Sequence, residues 1–417
     1  MKIVCVCIRP MKNIIKTLVF GTFSFLTINT TFAQDFQELI VWEDNAKSSG
    51  IREAALAFEK EHNCNVVLEE SDAVLHFKRY RELPPNYDRK PDVYVLVSDR
   101  LYDAVTGEHL EPLSFMKNDA DLYIDSAKKA FFFKGEYYAA PRNMDTLVTY
   151  YNKDLLKGPL RDFHQYSMLN AQMQKQGKWG LISKFDQLYI TYGIISGYGG
   201  YLFKQNSDGT YDVDDVGLNN LGSVAALKAL TEFSSKSSPR DLFTAKGWDV
   251  MDRLFMQGQV AAVISGPWAY HKYKQYLPNL GIAPLPILSD DKPMRPFFGT
   301  KGYVIPKDSK HKDLASQFIE FINQEKWALD RYNKISEVPP LKALEESSEL
   351  KDDELALAIL SQSKYADAIP SVPNVNRIWA PMGEALYNIL CNQGDPKAFL
   401  DQAVDLIKDT KNQHVDN

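Results

Sequence analysis

The stretch ELIVWEDNAKSSGIREAALAFEKEHNCNVVLE, residues 38–69, decides the fold. It opens on an apolar run, "ELIVWE", that predicts a buried strand. Ile51, Ala54, Ala55 and Phe58 then recur at helical spacing. "NVVLE" (65–69) is a second strand and "PDVYVLV" (91–97) a third. Strand, helix, strand in that order is a βαβ unit, and it predicts a parallel sheet covered by helices.

Further along, "GYVIP" (302–306) is another strand. It leads into a helix through "HKDLASQFIEFI", with Leu314, Phe318, Phe321 and Ile322 on one face. The C-terminal third is mostly helical and ends in "AFLDQAVDLI", with Phe399, Ala403 and Leu406 as a stripe. Between lies a second α/β region, roughly 145–295, with "GLISKF" and "VAAVIS" as strands. The chain therefore visits one α/β lobe, crosses to another and returns, and each crossing is a hinge. Ligands in open α/β sheets bind outside the carboxyl ends of the strands.

At 417 residues the chain is long enough for two lobes, and 45% hydrophobic with 24% charged residues is an ordinary globular balance. The segment "MKNIIKTLVFGTFSFLTINTTFAQ" has a basic start, an apolar middle and a small-x-small end at Thr31-Phe32-Ala33. That layout predicts an export signal cleaved after Ala33, with Met11 a better start than Met1. The residue directly after that cleavage point is Gln34 and not a cysteine, so a lipid anchor there is not expected. Without residues 1–33 the net charge moves from −6 to −10, which disfavours nucleic acid as a partner. Only Cys64 and Cys391 remain, and free thiols are expected.

No pair among the seven histidines has metal-ligand spacing, so neither a metal nor a cofactor is expected. The chain carries no Gly-x-Ser-x-Gly elbow and no phosphate-binding loop. "SGYGGY" (196–201) is glycine-rich with the wrong spacing for a dinucleotide, and reads as a turn. Tyr150 and Tyr151, adjacent on a strand, point to opposite faces and make no paired site.

What remains is aromatics and charges at element ends. Asp99 and Arg100 follow the third strand. Asp145 stands where the chain first crosses between lobes. Asp186, Gln187 and Tyr189 follow another strand. Trp268 follows "VAAVIS" through Gly266 and Pro267, and Trp379 opens a helix. Sugars ask for this mixture. Apolar C–H faces cover aromatic rings, and hydroxyls want carboxylate and guanidinium partners. Half of one ring face contributes about 2 kcal/mol. On the residues alone Trp268 is open to two readings, core plug or platform.

Four segments carry a resemblance: "YYNKDLL" (150–156), "GYGGYLFKQNSDGTYDVDDVGLNN" (197–220), "FMQGQVAAVISGPWAY" (255–270) and "IPSVPNVNRIW" (369–379). They are similar to the periplasmic maltose/maltodextrin-binding proteins, the solute-binding components of ATP-driven (ABC) importers. The resemblance runs from about residue 38 to the C-terminus. It implies a two-lobed periplasmic binding protein fold of type II-like α/β architecture that closes on an oligosaccharide. The expected division is residues 34–143 plus about 298–342 in the N-terminal lobe, and 144–297 plus about 343–417 in the C-terminal lobe. The resemblance places Trp268, Trp379 and Tyr189 as stacking platforms and Asp99 with Arg100 as the pair that holds sugar hydroxyls. Asp145 matches a family glutamate at the crossover, and Lys47 a family lysine. Ala46 replaces the aspartate beside that lysine, which leaves Asp44 open as its substitute. Trp248 falls where the family has a tyrosine near the cleft. Leu96 and Ile190 stand where the family has aromatics, and Gln187 where it has a glutamate.

The resemblance implies a non-catalytic, monomeric periplasmic protein that delivers maltodextrin to a membrane permease. Two other functions compete: a binder of a different oligosaccharide, and a secreted glycosidase with Asp99 and Asp145 as its carboxylates, which needs them about 5–10 Å apart.

Overall fold

A computed structural model describes residues 37–206, 210–235, 238–288 and 291–409. The predicted export signal at 1–33 lies outside the described residues. No helix among the described residues is long and apolar enough to cross a membrane.

The opening stretch folds as its periodicity dictates. Strand β1 (Gln37–Asp44) runs parallel to β2 (Cys64–Ser71), from Gln37 opposite Cys64 to Asp44 opposite Ser71. Helix α1 (Arg52–His62) connects them. The apolar run of β1 is continuous because both of its faces are covered. Leu39 and Val41 join Ile51, Ala54, Ala55 and Phe58 in one core. Ile40 and Trp42 join Phe77, Tyr80 and Tyr94 in a second core, under helix α2 (Ala73–Glu82). Asn63 closes α1 in the left-handed conformation (φ 50°), which a short polar side chain tolerates.

β3 (Val93–Val97) pairs with β1 on its other side, again parallel. Two short strands follow, β4 (Leu110–Glu111) and β5 (Ala140–Pro141). A second sheet then takes β6 (Val148–Asn152), β7 (Trp179–Ile182), β8 (Val260–Ser265) and β9 (Leu280–Ala283), in the order β9-β6-β8-β7. Finally β10 (Lys301–Pro306) returns to the first sheet, antiparallel to β3, β4 and β5. The first sheet is thus ordered β2-β1-β3-β10-β4, with β5 also on β10. The parallel sheet expected from the βαβ unit holds for β1, β2 and β3, and the sheet as a whole is mixed.

The two sheets with their helices make two α/β lobes. The chain crosses between them after β5, after β9, and again after the helix Glu325–Ile335. These crossings are bonded side by side. Asp145 and Gly299 exchange both backbone hydrogen bonds at 2.8 Å, and the Met144 amide donates to the Val338 carbonyl at 2.9 Å. The Thr300 hydroxyl donates to the Asn143 carbonyl at 2.8 Å.

On the helix Pro396–Asp409 the expected stripe is rotated. Leu400, Ala403, Val404 and Ile407 face the core, whereas Leu406 is 41% exposed. Spacing alone admits either face, and packing against the helix Trp379–Cys391 selects one.

Candidate functional site

β8 ends at Ser265, and Pro267 opens a 3-10 turn, Pro267–Ala269. The indole of Trp268 folds back over Gly266. A Cβ at that glycine would sit 2.0 Å from the ring's Cζ3, so no larger residue fits. Trp268 itself stays 51% exposed. The punctuation Gly-Pro therefore lets the ring lie close over the backbone while half of the residue stays in water.

Tyr189 lies in the first turn of helix α3 (Leu188–Gly197). Its ring centroid is 5.9 Å from that of Trp268 and 6.5 Å from that of Trp379, the first residue of the helix Trp379–Cys391. The Trp379 Nε1 donates to Asn376 Oδ1 at 3.3 Å, which fixes the indole's tilt. Phe297 backs the group at 5.9 Å from Tyr189 and 6.0 Å from Trp379, and it stacks on Tyr192 at 3.8 Å and 5°. The three expected platforms form one cluster, with two further rings behind.

Charged groups border these rings. Asp99 and Arg100 occupy the turn after β3, with Nε and Oδ1 3.9 Å apart and no hydrogen bond between them. Both atoms are buried and unpartnered. Burial, only partly offset by the Arg100 charge, pushes the Asp99 carboxyl above its usual value. The Asp145 carboxyl is also pushed up, by burial, against the pull of Lys301. The Tyr189 phenol is raised well above its ordinary value by burial and by the carboxylates of Asp145 and Asp99. A Cβ on Gly299 would lie 3.5 Å from the Tyr189 hydroxyl and 3.6 Å from the Asp145 Cβ. Tyr189 is therefore where rings and charges meet.

Residues 53–358 match the family model described as bacterial extracellular solute-binding protein. This chain belongs to that family. It is 35% identical over 377 residues to the galactooligosaccharide-binding protein of Bacillus subtilis (strain 168), with 89% of each chain covered. To the maltodextrin-binding protein MdxE of the same organism it is 30% identical, covering 84% of this chain and 85% of the relative. Among solved structures, a cyclo/maltodextrin-binding protein complexed with maltotetraose matches with a TM-score of 0.81 at 26% identity, over 90% of this chain and 98% of that one. MalX from Streptococcus pneumoniae in complex with maltopentaose matches at 0.80 and 29%, over 89% and 100%.

The remaining expected residues of this solute-binding protein fall in different places. Lys47 follows β1, and its ammonium donates to the Ile335 carbonyl at 3.2 Å and lies 4.0 Å from Glu337, beside the third crossing. Trp248 does not join the rings. It sits half-buried in the first turn of the helix Gly247–Met256, packed on the core, and makes no ring contact with the three platforms among the described residues. Leu96 and Ile190 are both core residues. Asp44 is committed to the protein. Its carboxylate accepts from the Asn45 and Ala73 amides at 2.9 and 3.1 Å, and from Lys301 at 2.6 Å.

Behind the charged face lies a buried ion cluster that sequence reasoning missed. Arg142 is fully buried between Glu43 and Glu337, with Nε donating to Glu337 Oε2 at 2.8 Å and Nη1 donating to Glu43. The Tyr303 hydroxyl donates to Glu43 at 3.0 Å. Burial opposes the Glu337 charge, but Arg142, Lys301 and Lys47 together hold its carboxyl below the usual range. These hydrogen-bonded partners are up to 260 residues apart in the chain, so no local pattern announces them.

Cys64 and Cys391 are free thiols at the start of β2 and the end of the helix Trp379–Cys391. Among the described residues no group of three or more His, Cys, Asp or Glu side chains is placed to hold a metal ion. A separate depression of about 390 Å³, between Phe163, Ile194 and Phe233, contains none of the site residues.

Proposed function

We propose that this protein is the solute-binding component of an ABC importer and captures an α-1,4-linked glucan oligosaccharide between its lobes. The observation that carries the reading is the ring cluster Trp268–Tyr189–Trp379 set beside Asp99 and Arg100, whose buried Oδ1 and Nε make no hydrogen bond. Rings suit pyranose faces, and a free carboxylate and guanidinium suit hydroxyl rims. Lobes divided at 34–143 plus about 298–342, and 144–297 plus about 343–417, would close by population shift, because a ligand touching both favours the closed form. The protein acts outside the cytoplasmic membrane after cleavage near Ala33, as a monomer without catalysis, and hands its sugar to a membrane permease. Sheet membership, the family and the named relatives support this account.

A second reading has its own support: a galactooligosaccharide ligand, since the relative so named is 35% identical to this chain and the maltodextrin-binding one 30%. Calorimetry with maltotriose and with β-1,4-galactotriose decides between them. Tight binding of maltotriose without released glucose supports the first reading. Binding of galactotriose alone replaces it, and sustained release of monosaccharide overturns the non-catalytic role.

A further inference from the structure

β10 is antiparallel to β3, with Lys301 opposite Val97. It therefore begins at the edge of the sheet where the parallel strands β1 and β3 end. That edge already carries Asp44 and Lys47 after β1, and Asp99 and Arg100 after β3. In the sequence Lys301 looks like the last residue of a loop, since the apolar run starts at Gly302.

The backbone of Lys301 is clamped. Its amide donates to Asn143 Oδ1 at 2.8 Å, and its carbonyl accepts from the Arg142 amide at 2.8 Å. Both partners belong to the first crossing, so the root of the side chain is fixed where the lobes join. The ammonium donates to Asp44 Oδ2 at 2.6 Å, and that carboxylate is tied by two backbone amides. Asp44 thus aims Lys301. An ammonium has three N–H donors, and the Asp44 bond takes one. The side chain is 20% exposed, and the ammonium acts on the Asp145 carboxylate, which in turn acts on the Tyr189 phenol. Burial opposes its charge, but the carboxylates of Asp145, Glu337 and Asp44 outweigh that and keep it protonated.

We propose that Lys301 is a sugar-binding residue, its ammonium donating to a hydroxyl of the unit nearest the crossing while Asp145 accepts from the same or the adjacent hydroxyl. This rests on the oligosaccharide reading above and deepens it. A hydroxyl both donates and accepts, so a cation and a carboxylate side by side can hold it at both ends.

The test is a comparison of two folding-safe variants. Asp44→Asn keeps the oxygen that caps the Ala73 amide. The double variant Asp44→Asn/Lys301→Met leaves neither charge buried alone. Wild type is first titrated with maltotriose and with β-1,4-galactotriose, which decides the sugar independently, and the variants are compared on the one it binds. D44N, which loses the charge that aims Lys301, is the reference for the double variant and not a silent control. The double variant should bind at least tenfold more weakly than D44N while its ligand-free melting temperature matches that of D44N within a few degrees. In a monodeoxy panel of that trisaccharide, one deoxy position should weaken D44N severalfold and cost the double variant clearly less, since only the Asp145 bond is left to lose. Equal affinities for the two variants, or an identical deoxy pattern in both, overturns the assignment and leaves Lys301 a structural tether.

Discussion

The two sides of the site are built on opposite plans. The second lobe offers rings held by other rings: Trp268 on the Gly266 backbone, and Trp379 and Tyr189 against Phe297, which stacks on Tyr192. The first lobe and the crossings offer charges held by other charges, from Glu43 through Arg142 to Glu337 and from Asp44 to Lys301. A ring face left open to water costs little, so platforms can wait fully formed. A buried charge without a partner costs several kcal/mol, so the charged side must be paired before any ligand arrives. The difference teaches that a ring can be removed without touching the fold, whereas a buried charge can be removed safely only together with its partner.

The largest effect tests that division directly. Arg142→Met leaves Glu43 buried without its cation and strips Glu337 of its directly bonded one, and should destabilise the protein by about 3–5 kcal/mol, read by urea unfolding. A loss under about 1 kcal/mol would break the comparison.

The next effect is a pH dependence confined to the first lobe. His76 on α2 is buried with Nδ1 3.0 Å from the Val95 carbonyl and Nε2 3.1 Å from that of Ser71. Burial lowers its pKa from 6.5 to about 4, against the pull of both carbonyls and Asp44. The unfolded chain takes up the proton near 6.5 and the folded one does not. Stability from this group is therefore complete above pH 6.5 and is lost as pH falls toward 4, by about 3 kcal/mol in all. Melting temperatures between pH 7 and 4 should fall more steeply for wild type than for His76→Gln, and equal slopes would remove His76 from the account.

Ring-side substitutions should move affinity and spare the fold. Trp379→Ala removes a platform backed by two other rings and should cost about 2 kcal/mol of sugar binding, roughly thirtyfold. Trp268→Ala should cost about tenfold, with little change in the ligand-free melting temperature because half the residue is already in water. A large stability loss at unchanged affinity would return Trp268 to the core. Smallest of all, Trp248→Ala should change sugar affinity by less than about twofold, since its ring lies outside the cluster. A tenfold loss there would enlarge the ring side beyond what its contacts show.

Much of this arrangement was legible before folding. The βαβ start was clear because β1 is covered on both faces and its helix has a single apolar stripe. Trp268 was legible because glycine and proline mark where a strand must end, and Trp379 because a proline-rich loop precedes its helix. The backing ring Phe297 was not legible, since its partners Tyr189, Tyr192 and Trp379 come from distant segments. Lys301, Arg142 and Glu337 were hidden for the same reason: each acquires its role only where three crossings meet. Trp248, matched to a family position by resemblance, is half-buried on the core in the helix Gly247–Met256 and touches none of the three platform rings among the described residues, so its part in binding rests on the affinity test above.

The return of β10 to the first sheet has a consequence for how the molecule is made. Its slot lies between β3 and β4, yet it is supplied some two hundred residues after β3 has emerged. A nascent chain that stops short of residue 306 has a gap at the middle of its first sheet, with unpaired edges on both sides of it. Closing that gap is a late, long-range event and makes the polypeptide a slow folder.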